Sequence, residues 1–352
     1  MTTVDEAYEI CRKITRRHGG NFSVGFRFLP PRKQRAVHAA YAYCRIADDI
    51  ADEDPGVILS REDGDRPRAG ALLGRARPDD VILNREDGDR PRAGALLGRA
   101  HPDDVILSRE DGEGSVPQDR FGSFASLRMT RLAAWQRELD LAYSGAPTHD
   151  VTIALADALR HFALPKSAFL ALLDGCRQDM VKTRYESFDE LLHYCDLVAT
   201  SISDISLAIF GYRSEKALAY GRNLSTALQL TNITRDIGDD LGRDRVYLPQ
   251  EELHRFGVTE RELFERSENA RVRALIEFQI SRAEQYFRDA EPLLKELSFD
   301  ARFPTLLMGG VYATVLKKLR KDPLAAVRKR LSLTPLQKML VVGTRVLRPH
   351  FV

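Results

Sequence analysis

The side chains best placed to do chemistry in this chain are two runs of aspartate. In YAYCRIADDIADE, Tyr41 to Glu53, Asp48 and Asp52 stand four apart with Asp49 beside them. In QLTNITRDIGDDLGRDRVYLP, Gln229 to Pro249, Asp236 and Asp240 repeat the spacing, flanked by Gln229, Asn232, Arg235 and Arg245. Residues four apart on a helix share a face, so Gln229, Asn232, Asp236 and Asp240 fall on one stripe. Aspartate is a mediocre helix former, and like charges at this spacing cost about a few tenths of a kcal/mol, so local stability opposes both runs.

One such run alone reads as a solvated acidic face. Two alter the reading, because each follows an apolar helical stretch (AVHAAYAYCRIA and LSTALQLTNI) that turns part of its stripe inward, where carboxylates need a paired charge or a metal. Hard oxygen ligands on two facing helices suit Mg²⁺, which keeps several waters and is completed by substrate phosphates. Arg45, Arg235 and Arg245 add planar donors that match phosphate oxygens. The set reads as a diphosphate site: metal ions and arginines neutralise a leaving diphosphate, and its departure creates an allylic cation in an apolar cavity.

The elements that must position these groups are helical. Apolar residues at 3.6-type spacing predict helices over Arg32–Glu53, Leu127–Tyr143, Val151–Phe162, Lys166–Asp179, Phe188–Phe210, Ser214–Leu241 and Ala270–Leu297. Breakers fall between them, as at Pro30-Pro31, Ser144 to Pro147, Pro165, Gly211 and Pro249. An all-α bundle follows. At 352 residues and 43% hydrophobic the chain can fill a sizeable core. With 53 Lys+Arg against 51 Asp+Glu, bulk charge gives no case for nucleic acid as a partner. Four cysteines without metal-ligand spacing make neither a disulfide framework nor a zinc site, which predicts a cytoplasmic protein. No stretch reaches the roughly 18 apolar residues of a bilayer span, so membrane contact is at most peripheral, at the inner face of the cytoplasmic membrane.

A repeat interrupts the pattern. VILSREDGDRPRAGALLGRARPDD at Val57–Asp80 returns at Val81–Asp104 with only Ser60/Asn84 and Arg77/His101 changed, and a truncated third copy begins at Val105, a period of 24 residues. Each copy offers only a VIL and an ALL as apolar content, too little to offset about 1 to 2 kcal/mol per residue of ordering entropy. The expectation is one domain, 1–352, interrupted by a flexible, low-complexity insertion at 55–122.

The two aspartate stretches resemble the signatures of the squalene/phytoene synthase family of head-to-head prenyltransferases. The resemblance extends through HGGNFSVGFRFLPPRKQRA from His18, RYESFDELLHYCDLVA from Arg184 and GGVYATVLKKL from Gly310. It implies an isoprenoid-synthase helical bundle that condenses two prenyl diphosphates with Mg²⁺. Carried onto this chain, it makes Asp48, Asp52, Asp236 and Asp240 metal ligands and, with Tyr41, catalytic residues. It gives Arg45, Gln229, Asn232, Arg235 and Arg245 to the diphosphates, with Tyr194, Tyr312 and Arg330 nearby and His18 also among the substrate-binding residues. Phe22, Phe26 and Tyr41 would line the prenyl cavity, where they read equally as core aromatics. Two departures stand out: Gly19, Gly20 and Asn21 where the family often has serines, and Thr200 and Ser203 in VATSISDIS where it usually has VAGxVG.

The resemblance to bacterial C30 enzymes favours farnesyl diphosphate as substrate, giving presqualene diphosphate, hydroxysqualene or, with NADPH, squalene. Geranylgeranyl diphosphate giving phytoene is the alternative. A head-to-tail synthase fits less well, since RDIGDD lacks the DDxxD form that DDIAD has. An inactive lipid- or partner-binding paralogue is the reading from another class. An insoluble product would require membrane contact, for which the basic Lys317–Arg330 stretch is a candidate.

Overall fold

The computed structural model describes residues 2–19, 25–52, 118–328, 330–347 and 350–351. Phe22 and almost all of the expected insertion lie outside them. Apart from residues 118–124, which fall in the unit Asp54–Phe124, the described residues belong to the unit formed by Met1–Glu53 with Ala125–Val352. Among the described residues no strand occurs, only two isolated bridges, Arg184 with Val246 and Tyr212 with Leu297.

Helix α1 (Val4–His18) opens with a capping box between Thr3 and Glu6 and buries Ala7, Tyr8, Cys11 and Ile14. Helix α2 (Pro31–Asp52) starts on a proline, whose missing N–H costs nothing at that position. Its buried Ala36, Ala39, Ala40, Ala42 and Ala47 keep the helix slim enough to be surrounded. It packs on α1, α4 (Asp150–Leu159), α5 (Lys166–Asp179) and α7 (Ser201–Phe210). Helix α3 (Gln118–Ser144) is clasped to α2 by a reciprocal pair. Trp135 Nε1 donates to the Tyr43 carbonyl at 3.1 Å, Tyr43 Oη donates to the Trp135 carbonyl at 3.2 Å, and the two rings stack at 4.9 Å. Arg128 adds a bond to the Ala51 carbonyl at 2.9 Å.

The longest central element is α8 (Lys216–Leu241), which packs against α11 (Ala270–Ala290), α13 (Phe299–Lys321) and α14 (Ala325–Arg328). Between α8 and α11 lie the short α9 (Gln250–Phe256) and α10 (Glu260–Phe264), neither expected from periodicity. The chain closes with α15 (Pro335–Leu347). Helices α1 and α13 were also not anticipated, although both carry buried faces.

Two expected helices are broken. The stretch predicted as Phe188–Phe210 is α6 (Phe188–Cys195), a five-residue π turn (Asp196–Thr200) and α7. Arg222 grips Asp196 through Nε at 2.7 Å and Nη2 at 2.6 Å, and Thr200 Oγ1 donates to Asp196 at 3.0 Å, which holds the widened turn. The helix therefore deforms at Thr200 without the family's glycine. Close approach is supplied from the opposite side: a Cβ on Gly221 of α8 would lie 2.7 Å from Leu207 Cδ1 and 2.8 Å from Ser203 Oγ. The predicted Ala270–Leu297 helix stops at Ala290, and α12 (Leu293–Glu296) resumes after Pro292, which has no N–H to continue the ladder.

Candidate active site

Both aspartate runs lie at helix C-termini. Asp48, Asp49 and Asp52 end α2, and Asp236, Asp239 and Asp240 end α8, with no basic residue in the last turn of either helix. Backbone carbonyls already concentrate negative charge there, so each added carboxylate is repelled by about 0.3 to 1 kcal/mol. The arrangement calls for cations.

Arginines supply part of the answer. Arg45 donates to Asp48 through Nη1 at 2.8 Å and pairs also with Asp49. Arg235, itself buried, holds Asp236 in a fork, Nε to Oδ1 at 2.7 Å and Nη2 to Oδ2 at 2.5 Å. Arg330 reaches the same carboxylate from the far end of the sequence, Nε to Oδ1 at 3.0 Å. Arg245, just after α8, reaches across to the first run: its Nη1 is 3.6 Å from Asp52 Oδ1 and its Nη2 donates to the Asp179 carbonyl at 3.0 Å.

The remaining charge is not balanced. Asp48 is crowded by neighbouring helices although 51% of its side-chain surface reaches solvent. Burial first and then Asp52 raise its pKa to about 7. Asp240 is raised to about 7 by burial and then by Asp236, with Arg243 and Arg245 pulling the other way. Beside the aspartate runs, Arg45 Nε and Asn232 Oδ1 are buried without a hydrogen-bond partner. The donor faces the needs of an anion, and the carbonyl oxygen those of a hard cation. Among the described residues no three carboxylate, imidazole or thiolate side chains converge tightly enough to hold an ion alone. The donor set nevertheless fits Mg²⁺: all oxygen, and open to completion by water and phosphate.

Around these groups stand aromatic side chains. The Phe26 ring meets Tyr41 edge-on at 6.4 Å and His38 at 6.1 Å. Tyr41 is half-buried and within electrostatic reach of Arg45, Asp48 and Tyr312, and burial raises its hydroxyl pKa. Tyr312 is buried in α13 beside the Asn232 amide and Arg235. Gln229 accepts from Asn232 Nδ2 at 3.4 Å. His18 stands half-buried at the end of α1.

Sequence reasoning missed Asp179, Tyr185 and Tyr247. Tyr194 Oη donates to Asp179 Oδ2 at 2.9 Å, and Tyr247 Oη to Asp179 Oδ1 at 3.1 Å. The rings of Tyr185, Tyr194 and Tyr247 stack with centroids 5.4 to 5.6 Å apart. Burial raises the Asp179 pKa to about 6, while Arg245 and the two phenols hold it back. A lone aspartate ending an amphipathic helix gives no sequence signal of this kind. The one available hint was its place in RQDMVKTRYESF, next to Arg184 and Tyr185.

Known proteins resemble this chain over nearly its whole length. Residues 15–72 and 114–337 match the family described as squalene/phytoene synthase, and the gap between them falls within the repeats. The chain is 29% identical over 364 residues to the 15-cis-phytoene synthase of Synechococcus elongatus, covering 99% of this chain and 95% of that one. It is 30% identical over 348 residues to the phytoene synthase of Mycobacterium tuberculosis, covering 97% and 91%. Among solved structures, a dehydrosqualene synthase in complex with ligand superposes with a TM-score of 0.72 at 22% identity, covering 99% and 98%. A squalene synthase from Alicyclobacillus acidocaldarius gives 0.67 at 24%, covering 93% and 97%.

Proposed function

The chain belongs to the squalene/phytoene synthase family of prenyltransferases, and on that premise we propose that it condenses two prenyl diphosphates head to head at the cleft between α2 and α8. The observation that carries this reading is the pair of carboxylate clusters at the C-termini of those helices, with Arg245, just past α8, 3.6 Å from Asp52 of the first. Mg²⁺ held by Asp48, Asp52, Asp236 and Asp240 would offset the charge of the leaving diphosphate. Arg45, Arg235, Arg245 and Arg330 present guanidinium donors to its oxygens, and each now rests on an aspartate it can exchange for substrate. Phe26 and Tyr41 offer aromatic faces to the allylic cation and keep water from it.

On chain length, the motif resemblance favoured farnesyl diphosphate, whereas the curated relatives that match over nearly the whole chain are phytoene synthases. The latter supports geranylgeranyl diphosphate as the substrate and phytoene as the product. The farnesyl reading retains the likeness to squalene-type folds, which at 24% identity and below speaks to architecture alone. Incubation with each radiolabelled diphosphate and Mg²⁺, with and without NADPH, separates the two. A C40 hydrocarbon formed without NADPH is expected; product from farnesyl diphosphate alone would reverse the choice, and none from either would end the reading.

Among the described residues no helix is long and apolar enough to cross a membrane. Much of the basic Lys317–Arg330 stretch is engaged internally: Lys318 bonds the Ser332 carbonyl at 3.0 Å, Arg320 pairs with Glu284 at 2.7 Å and Arg328 with Asp322 at 2.6 Å. Peripheral membrane contact at this end then rests on exposed Lys317 and Lys321 together with Leu336 and Leu340 of α15, which are 66% and 60% exposed.

A further inference from the structure

Asp179 is the last residue of α5, a position where the helix dipole and burial both disfavour a carboxylate. It is nonetheless the meeting point of three elements. Its two carboxylate oxygens accept from different phenols, Tyr194 on α6 at 2.9 Å and Tyr247 beyond α8 at 3.1 Å. Its backbone carbonyl accepts from Arg245, whose other nitrogen is 3.6 Å from Asp52.

The chemistry of the group matters. An ionised carboxylate only accepts hydrogen bonds, so it obliges both phenols to donate and leaves their oxygen lone pairs turned away from it. An asparagine would fill the same space without a buried charge, but its amide nitrogen donates. One of the two tyrosines would then lose its partner or reverse its hydroxyl. A residue that served packing alone would gain from the neutral side chain. We infer that Asp179 is a positioning residue of the proposed condensation, one that fixes the Tyr194 and Tyr247 hydroxyls and, through its main chain, the Arg245 guanidinium at the diphosphate end of the cleft. The inference rests on the function proposed above.

The test uses the full chain and three variants, Asp179→Asn, Tyr194→Phe and the pair combined. For Asp179→Asn, kcat should fall about tenfold or more with KM within about twofold and an unchanged melting curve, since misplacement rather than lost binding is at issue. In the Tyr194→Phe background the same substitution should cost clearly less than it does in the parent, because the Tyr194 part of its route is already gone and only the Tyr247 part remains. Equal losses in both backgrounds, or a kcat within about twofold of the parent, would overturn the inference. A near-ultraviolet difference spectrum gives a readout that needs no turnover: loss of phenol donation to a carboxylate should shift the tyrosine band of Asp179→Asn to the blue, and an unshifted band refutes the hydrogen-bond arrangement. If the parent chain condenses no prenyl diphosphate, the functional reading falls while the spectrum still judges the arrangement. Should Asp179→Asn fail to fold, Tyr247→Phe removes one donor only, and a kcat loss without a KM change is expected there; full activity counts against the inference.

Discussion

Replacing Asp240 by asparagine should make the free protein more stable and the enzyme much slower. The Asp240 carboxylate ends α8, has Asp236 one turn back, and is raised to about 7 by burial and by that neighbour. An acid bound more tightly to its proton in the fold than in the unfolded chain supports the fold below its ordinary value near 3.8 and loses that support as pH rises toward about 7. At about 1.4 kcal/mol per pH unit the ceiling is about 4 kcal/mol, and solvent access to the partly exposed carboxylate reduces it to about 1 to 2 kcal/mol. For a chain of this size that is a rise in melting temperature of about 2 to 4 °C at pH 7.5, shrinking as the pH is lowered toward 5. Calorimetry at both pH values measures it. Mg²⁺ with inorganic diphosphate should stabilise the parent and leave Asp240→Asn nearly unmoved, and turnover of the variant should drop by about 100-fold. A lower melting temperature, a gain equal at both pH values, or activity within about threefold of the parent would refute the assignment of Asp240 as an uncompensated cation ligand.

Asp236→Asn should abolish turnover too, but with the opposite stability sign, since it strips the buried Arg235 of its fork and costs about 1 to 3 kcal/mol; thermal melts of the two variants side by side check this. Exchange of residues 56–117, which stops short of α3, for a short Gly/Ser linker is expected to leave the melting temperature nearly unchanged, and a fall of several degrees would show that the repeats pack on the bundle. Co-sedimentation with anionic vesicles at low and physiological salt should weaken when Lys317 and Lys321 are reversed in charge and Leu336 and Leu340 become serine; binding indifferent to all four would move the membrane surface elsewhere.

The long helices and the two carboxylate clusters were legible because both leave periodic marks: apolar residues at helical spacing, and paired aspartates that a helix alone does not favour. Arg45, Arg235 and Arg245 were legible by adjacency to those aspartates. Arg330 could be named only through family resemblance, because no local pattern joins it to Asp236. Asp179 and Tyr247 were not found, since their importance lies in meeting one another across α5 and the segment after α8. The π turn at Asp196–Thr200 was also hidden, because one extra residue in a turn shifts the apolar face only slightly and the sequence continues to look helical.

The clasp between Tyr43 and Trp135 sets the two ends of the intervening chain in place by contacts that lie wholly within α2 and α3. The clasp itself therefore sets no fixed length for the chain between those ends. Loop-closure entropy grows with the logarithm of length, so one more 24-residue copy would cost only about 0.3 kcal/mol. Seen from heredity rather than mechanics, this junction is where the clasp lets in-frame duplication act at little entropic cost. Copy number among close relatives should accordingly vary while α2 and α3 do not.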